Sequence, residues 1–365
     1  MEILQLIQKP QPRGAETFAA QLSDNLEQQG HASKLLALYA GNEAGKFKRN
    51  NYQLLGANAQ ARLWDKNGWK ALADVIKEMN PDVIQANAGD TLKYAVFSKL
   101  LHKWPQPIVF RNASTLSSYL KNPLQKVYTR FLLSKVDAVA SVSDYSRGDI
   151  VRLFPELAKK TLTIPIGLEP KLRVSNPFAR TAFSGSKNLV HVGGFTFEKN
   201  HVGLLRIYKR IIELVPNVHL WLIGDGPLRK DVEESVQHMG IANRVSFTGF
   251  INNPLEYIAH GDALLLPSVI EGLPGVILEA MLYETPVVAN NVGGISEVVI
   301  PDKTGWLVER GEEEAFAQAV NNCLTNKSKV SSLVGCALSM VEEKYMNKNI
   351  ASSFANLYQK LSNRI

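Results

Sequence analysis

Two α/β domains, each a parallel sheet covered by helices, are predicted for this 365-residue chain by three observations. Strand-like and helix-like segments alternate from one end to the other, the signature of parallel strands joined by helical crossovers. Segment 169–187, with Pro170, Pro177, Gly185 and several small polar residues, interrupts that alternation and reads as an interdomain linker. The length is large for one hydrophobic core and fits two. Two such domains define a cleft, and ligands of these sheets bind beyond the C-terminal strand ends.

The elements follow in order. In the first domain, residues 1–168, short apolar runs at 3–7, 34–38, 82–85, 108–110, 138–142 and 162–166 read as buried strands. Between them, Phe18, Ala19, Leu22 and Leu26 make one helical stripe, and Leu72, Val75, Ile76 and Met79 another. In the second domain, residues 188–348, strands are expected at 189–192, 219–223, 245–248, 263–266, 287–289 and 306–308. Helical pattern fills most of the chain after residue 312, ending in a stripe of Ile350, Phe354, Leu357, Tyr358 and Leu361.

Composition narrows the function classes. Hydrophobic residues make up 45% and charged residues 21%, ordinary for a soluble globular chain. No apolar run approaches the roughly 20 residues that span a bilayer. No basic region followed by a long apolar stretch opens the chain, so no signal peptide and a cytoplasmic location are expected. Cys323 and Cys336 read as reduced packing residues. The seven histidines show no metal-ligand spacing, and no Asp-x-Asp pair is present to hold a metal–diphosphate. No Gly-x-Gly-x-x-Gly follows the first strand, which argues against a nicotinamide-dependent dehydrogenase.

Segment Glu271-Gly-Leu-Pro-Gly-Val-Ile-Leu-Glu279 is the most informative stretch. An apolar strand ends at Ser268, a loop carries Glu271, and a helix opens near Pro274, a residue suited to the first helical position. The amides around Gly275 and Val276 then face outward with the positive end of the helix dipole, which suits a diphosphate. Glu271 precedes the turn and Glu279 lies in the second helical turn, so both can reach one ligand from two sides. Carboxylates beside an anion make sense if they bind hydroxyls, and a nucleotide sugar offers a ribose and a hexose.

This segment resembles the two-glutamate motif of the retaining glycosyltransferases of family 4 (group 1), which have the GT-B fold. Further ordered matches are His191-Val-Gly-Gly-Phe-Thr-Phe-Glu-Lys-Asn200, Ile223-Gly-Asp-Gly-Pro-Leu228, Val245-Ser-Phe-Thr-Gly-Phe250, Val292-Gly-Gly-Ile-Ser-Glu297 and Thr304-Gly-Trp-Leu307. Near the start, Arg13-Gly-Ala-Glu16 resembles the family's Gly-Gly-Ala-Glu loop. The resemblance implies an acceptor-binding first domain, a nucleotide-sugar-binding second domain, and a last helix, 349–365, that crosses back to the first. It further implies Glu279 on the ribose, Glu271 on the transferred sugar, and Lys199 on the leaving diphosphate beside Gly193. The backbone of Gly272, Leu273, Pro274, Gly275 and Val276 would hold sugar and phosphates. Phe250 would lie beside the nucleobase through its backbone, its side chain being equally readable as a core aromatic. Gly14 and Ala15 would touch acceptor or phosphate through their amides; Gly224 and Gly226 read as turn residues.

The sequence departs from the family at Gly194, where an arginine is common, and at Arg111 and Asn112, where a histidine is common. Arg13 or Arg111 is expected to supply the missing cation. Family retention is explained by front-face attack, with the leaving phosphate taking the acceptor proton. The expectation is a metal-independent hexosyltransferase without cofactor. Its donor would be a UDP-sugar, the frequent donor in that family, and its acceptor a saccharide or lipid-linked saccharide for the cell surface. No nucleic-acid partner is expected. A nucleotide-sugar epimerase of the same fold, or a donor-binding subunit without activity, are the competing readings.

Charge is uneven. Residues 1–185 carry 25 Lys and Arg against 15 Asp and Glu, whereas residues 186–365 carry 16 against 19. The basic half reads either as ordinary solvated surface or as attraction to anionic lipid or a phosphate-bearing acceptor. Within it, Lys121, Lys126, Arg130 and Lys135 alternate with Leu124, Val127, Tyr128, Phe131 and Leu132. The preferred reading is a domain helix with its apolar face in the core; the other is a basic amphipathic helix resting on an anionic membrane.

Overall fold

The computed structural model describes residues 1–11, 14–41, 47, 51–61, 64–179, 181, 183 and 185–363. The chain forms two compact units, Met1–Glu169 together with Met346–Ile365, and Pro170–Tyr345.

The first unit runs β1 (Glu2–Ile7), α1 (Gly14–Gln28), β2 (Ala32–Ala37), β3 (Tyr52–Leu54), α2 (Lys66–Met79), β4 (Val83–Ala86), α3 (Gly89–His102), β5 (Ile108–Asn112), α4 (Pro123–Ser134), β6 (Ala138–Ser141), α5 (Asp144–Leu153) and β7 (Thr161–Thr163). Its strands pair in parallel in the order β3-β2-β1-β4-β5-β6-β7. Central strands such as β4 and β5 are buried along their whole length, as parallel strands covered on both faces must be. One apolar layer contains Trp69, Leu72, Tyr94 and Phe110. The other contains Phe18, Leu22 and Leu26 of α1 with Ile350, Phe354 and Tyr358 of the C-terminal helix, Asn347–Ser362. Each such large apolar side chain contributes roughly 1.5–3 kcal/mol on burial. The C-terminal helix is pinned where it starts: Asn347 donates its backbone N–H to the Leu168 carbonyl at 2.8 Å and its side-chain amide to Glu169 at 2.6 Å.

The second unit runs β8 (Lys187–Val192), α6 (His201–Leu214), β9 (Val218–Ile223), α7 (Arg229–His238), β10 (Val245–Gly249), α8 (Leu255–His260), β11 (Ala263–Leu266), α9 (Gly275–Leu282), β12 (Val287–Asn290), β13 (Trp306–Val308), α10 (Glu313–Thr325) and α11 (Lys327–Lys344), followed by the C-terminal helix, α12. All pairings are parallel, in the order β10-β9-β8-β11-β12-β13. Counted from β8, this is the 3-2-1-4-5-6 doubly wound order, in which the direction of winding reverses between β8 and β11.

Three expectations need correction. Strand β3 was not read in the sequence; it has three residues on the sheet edge, two of them exposed, so it carries no apolar run. Segment 169–187 does more than connect: Phe178 is buried in the second unit against Trp221 and Tyr257, and Phe183 stacks on His219. The apolar face of α4 is not in the core. Only Leu132 and Leu133 of that helix are buried, while Leu124 and Val127 are 81% and 65% exposed, with Tyr128 and Phe131 also in solvent.

Candidate active site

The winding reversal between β8 and β11 leaves a crevice at their C-terminal ends, and the sequence-predicted residues of the second unit come from the loops that follow these two strands. After β8 the chain passes Gly193, makes one 3-10 turn at Phe197–Lys199, and enters α6 through Asn200 in the left-handed conformation at φ 54°. The Asn200 side chain donates to the Pro267 carbonyl at 3.1 Å, and Val269 N–H donates to the Glu198 carbonyl at 2.8 Å. These bonds tie the β8 loop to the β11 loop.

The tie brings Lys199 to Glu271. Their Nζ and Oε1 atoms stand 2.7 Å apart, with side chains 21% and 10% exposed. Gly193 is what lets Lys199 lie there, because a Cβ at that position would stand 3.2 Å from Lys199 Cδ and 3.3 Å from Cε. Gly293, at φ +59°, performs the same service for Glu271, since a Cβ there would run into the Glu271 carbonyl oxygen. The Gly294 N–H then donates to the Gly272 carbonyl at 2.7 Å, which fixes the turn from its far side.

Leu273 and Pro274 are buried and set the entry to α9. Pro274 is the N-cap and Gly275 the first helical residue, one position later than the sequence suggests. No side chain caps α9, and Gly275 and Val276 are partly exposed at its positive end. Glu279, one turn further, is partly exposed. Phe250 follows β10, two strands from β8, and is 39% exposed, so its side chain is not the core aromatic that was one reading of it.

Two buried histidines lie beneath Lys199, and the sequence reading gave them no role. His191 on β8 and His201 at the start of α6 meet edge to face, with ring centroids 4.7 Å apart, and His201 stacks on Phe195. The Leu265 carbonyl is 2.8 Å from His191 Nδ1. Among the described residues, His191 Nε2, both His201 ring nitrogens and the Ser268 hydroxyl are buried without a hydrogen-bond partner. Burial, with Lys199 nearby, pushes His191 down to about 4. Burial, then His191 and Lys199, pushes His201 down to about 2. Both are neutral at physiological pH and add no positive charge under Lys199. Their positions in Val190-His191-Val192 and Asn200-His201-Val202 give no local sign of this, because the pairing is tertiary.

The candidate residues of the first unit are arranged differently. Gly14 and Ala15 open α1, which follows β1 at the C-terminal edge of the sheet. Arg13 lies outside the described residues. Arg111 does not stand free: it is 4% exposed, and its guanidinium stacks on the Phe18 ring at 3.8 Å. Its Nε and Nη1 have no hydrogen-bond partner. Burial lowers its pKa to about 9, against the raising effect of Glu16 and Tyr358.

Two family models match consecutive parts of the chain. The model described as Glycosyltransferase Family 4 matches residues 12–172, and Glycosyl transferases group 1 matches residues 186–326. An uncharacterised glycosyltransferase of Methanocaldococcus jannaschii is 25% identical over 299 residues, 74% of this chain and 72% of that protein. The 2-deoxystreptamine N-acetyl-D-glucosaminyltransferase of Niallia circulans is 26% identical over 318 residues, 85% and 77% of the two chains. Among solved structures, Anabaena HepE in complex with UDP-glucose superposes with a TM-score of 0.85 at 21% identity, covering 99% of this chain and 100% of that one. That likeness shows the two-domain GT-B fold.

Proposed function

From the premise that the chain belongs to the group 1 glycosyltransferases of family 4, we propose that it transfers a hexose, with retention and without a metal, from a UDP-sugar to a saccharide or lipid-linked saccharide acceptor. The observation that carries this reading is the Lys199–Glu271 pair at the winding reversal, beside the uncapped start of α9. In the unliganded protein the two charges satisfy each other. With donor bound, Lys199 takes the leaving diphosphate and Glu271 takes hydroxyls of the transferred sugar. The amides of Gly275 and Val276 share the phosphate charge as the glycosidic bond breaks, the moment of greatest electrostatic demand. Glu279 accepts from the ribose, and Phe250 lies at the base. The leaving phosphate removes the acceptor proton, so no separate base is required. The burial of Arg111 favours a supporting role under the start of α1 over direct phosphate contact.

Donor identity is supported by the UDP-glucose complex of HepE. Activity in surface polysaccharide or glycolipid synthesis, next to an anionic membrane, is supported by α4. Its exposed Leu124, Val127, Tyr128 and Phe131 lie among Lys121, Lys126, Arg130 and Lys135, the composition of a helix that rests in a lipid interface. No described helix is long and apolar enough to cross a membrane.

The test is release of nucleoside diphosphate from a panel of UDP-, GDP- and ADP-sugars with pooled saccharide and lipid-linked acceptors, with and without chelator. Transfer from a UDP-sugar that survives chelation, with the product anomer matching the donor by NMR, is expected. Activity abolished by chelator and restored by magnesium would overturn metal independence, and an inverted anomer would overturn retention.

A further inference from the structure

The first unit holds a second recessed surface, at the same end of its sheet as the start of α1 but out at the β3 edge. The chain leaves β3 at Leu54 and enters α2 at Lys66, and the connection encloses a cleft of about 510 Å³. Leu55, Asn58, Trp64, Lys66, Asn67 and Ala71 are among its walls. That volume lies within the ordinary range of small-ligand sites, about 300–1,000 Å³.

Trp64 makes this cleft unusual. Of the five tryptophans, four are between 3% and 9% exposed, whereas Trp64 is 79% exposed. A bare indole in water forgoes the burial that drives tryptophan inside, unless a ligand covers it. The residues beside it are amides: Asn58 and Asn67 can donate and accept, as neutral hydroxyls demand. The one acidic group of the wall, Asp65, is already engaged. It is 6% exposed and accepts from Asn58 N–H at 2.8 Å, Gly68 N–H at 3.0 Å and the Tyr94 hydroxyl at 2.8 Å. Burial would raise its pKa, but these three donors hold it below the usual carboxylate range. Asp65 therefore braces the loop and the first turn of α2, so the cleft is held from within.

We propose that this cleft is a saccharide subsite for a distal portion of the acceptor, in which a neutral sugar ring stacks on Trp64 and bonds to the amides of Asn58 and Asn67. This rests on the glycosyltransferase reading above and adds to it that the acceptor is an oligosaccharide, not a single sugar. An anionic or purely apolar ligand fits less well. Lys66 is the single cation named in the wall, and both asparagines would be left unpaired by a lipid chain.

The test uses the full chain on an array of neutral oligosaccharides, wild type against Trp64→Ala and Trp64→Phe. Because the other tryptophans are buried, acrylamide quenching reports on Trp64 almost alone. Glycans retained by the wild type are expected to shield Trp64 from quenching. They should bind Trp64→Ala about tenfold more weakly, with Trp64→Phe between the two, since a ring still stacks. UDP affinity, measured by calorimetry on the same samples, is expected to be equal in all three. Absence of any retained glycan, or equal glycan binding by Trp64→Ala, overturns the subsite while UDP binding stands. Loss of UDP binding in every sample, wild type included, instead defeats the underlying glycosyltransferase reading.

Discussion

Lys199 Nζ rests 2.7 Å from Glu271 Oε1, across 72 residues of sequence, with Gly193 beneath the lysine stem and Gly293 behind the glutamate backbone. Neither charge is left bare in the free protein, yet each is placed for a different end of a nucleotide sugar. The pair is thus a contact that donor binding replaces.

Replacement has a sign that can be measured. Glu271→Gln frees Lys199 from its partner, so affinity for UDP alone should rise by about 0.5–1.5 kcal/mol, the net value of an ordinary hydrogen bond. Turnover should fall, because the sugar loses a charged acceptor. Lys199→Ala should lower kcat about 10²–10³-fold, the usual effect of removing one group that stabilises developing charge. Calorimetry with UDP and steady-state kinetics check both; weaker UDP binding in Glu271→Gln would show that the pair is not exchanged for donor.

Glu279 lies in the second turn of α9 and is assigned to the ribose. Glu279→Ala should weaken UDP binding by about 1.5–3 kcal/mol, the range for hydrogen bonds to a charged group. The same variant should bind inorganic diphosphate as the wild type does. Equal losses for the two ligands would place Glu279 at the phosphates.

The exposed face of α4 predicts membrane attachment that depends on salt. Each lysine or arginine near an anionic surface contributes about 1 kcal/mol, screened over roughly 8 Å at physiological ionic strength. Wild-type protein should sediment with vesicles containing phosphatidylglycerol at low salt and be released as salt rises. Leu124→Asp with Val127→Asp should abolish sedimentation without loss of fold, because both side chains are in solvent. Sedimentation unchanged in that double variant would remove α4 as the attachment site.

The histidine pair predicts acid sensitivity. His191 and His201 have folded-state pKa values of about 4 and about 2, both below the model value 6.5. The unfolded chain therefore takes up more protons, and stability present above pH 6.5 is lost as pH falls below it. At pH 5 the loss is about 2 kcal/mol for each histidine, at 1.36 kcal/mol per pH unit. Urea midpoints at pH 7 and pH 5 measure this. His201→Phe should flatten the dependence relative to wild type; an unchanged slope would mean that His201 is not held neutral by the fold.

What the sequence by itself determined was everything encoded in short range. Parallel strands buried on both faces need near-continuous apolar runs, so β1, β8, β9 and β11 could be read directly, and with them the two-sheet architecture. The turn from Glu271 to Glu279 is also local, because loop, N-terminal turn and helix fall within nine consecutive residues. Tertiary structure decided the rest. Helical periodicity shows that α4 has an apolar face but not what that face meets, since the same stripe serves a core or a lipid surface. It also brought His191 to His201 and left both without partners, and it sealed Arg111 against Phe18, where the sequence suggested a cation ready for a ligand. The pairing of Lys199 with Glu271 depends on β8 and β11 lying side by side, a consequence of strand order that no local pattern records.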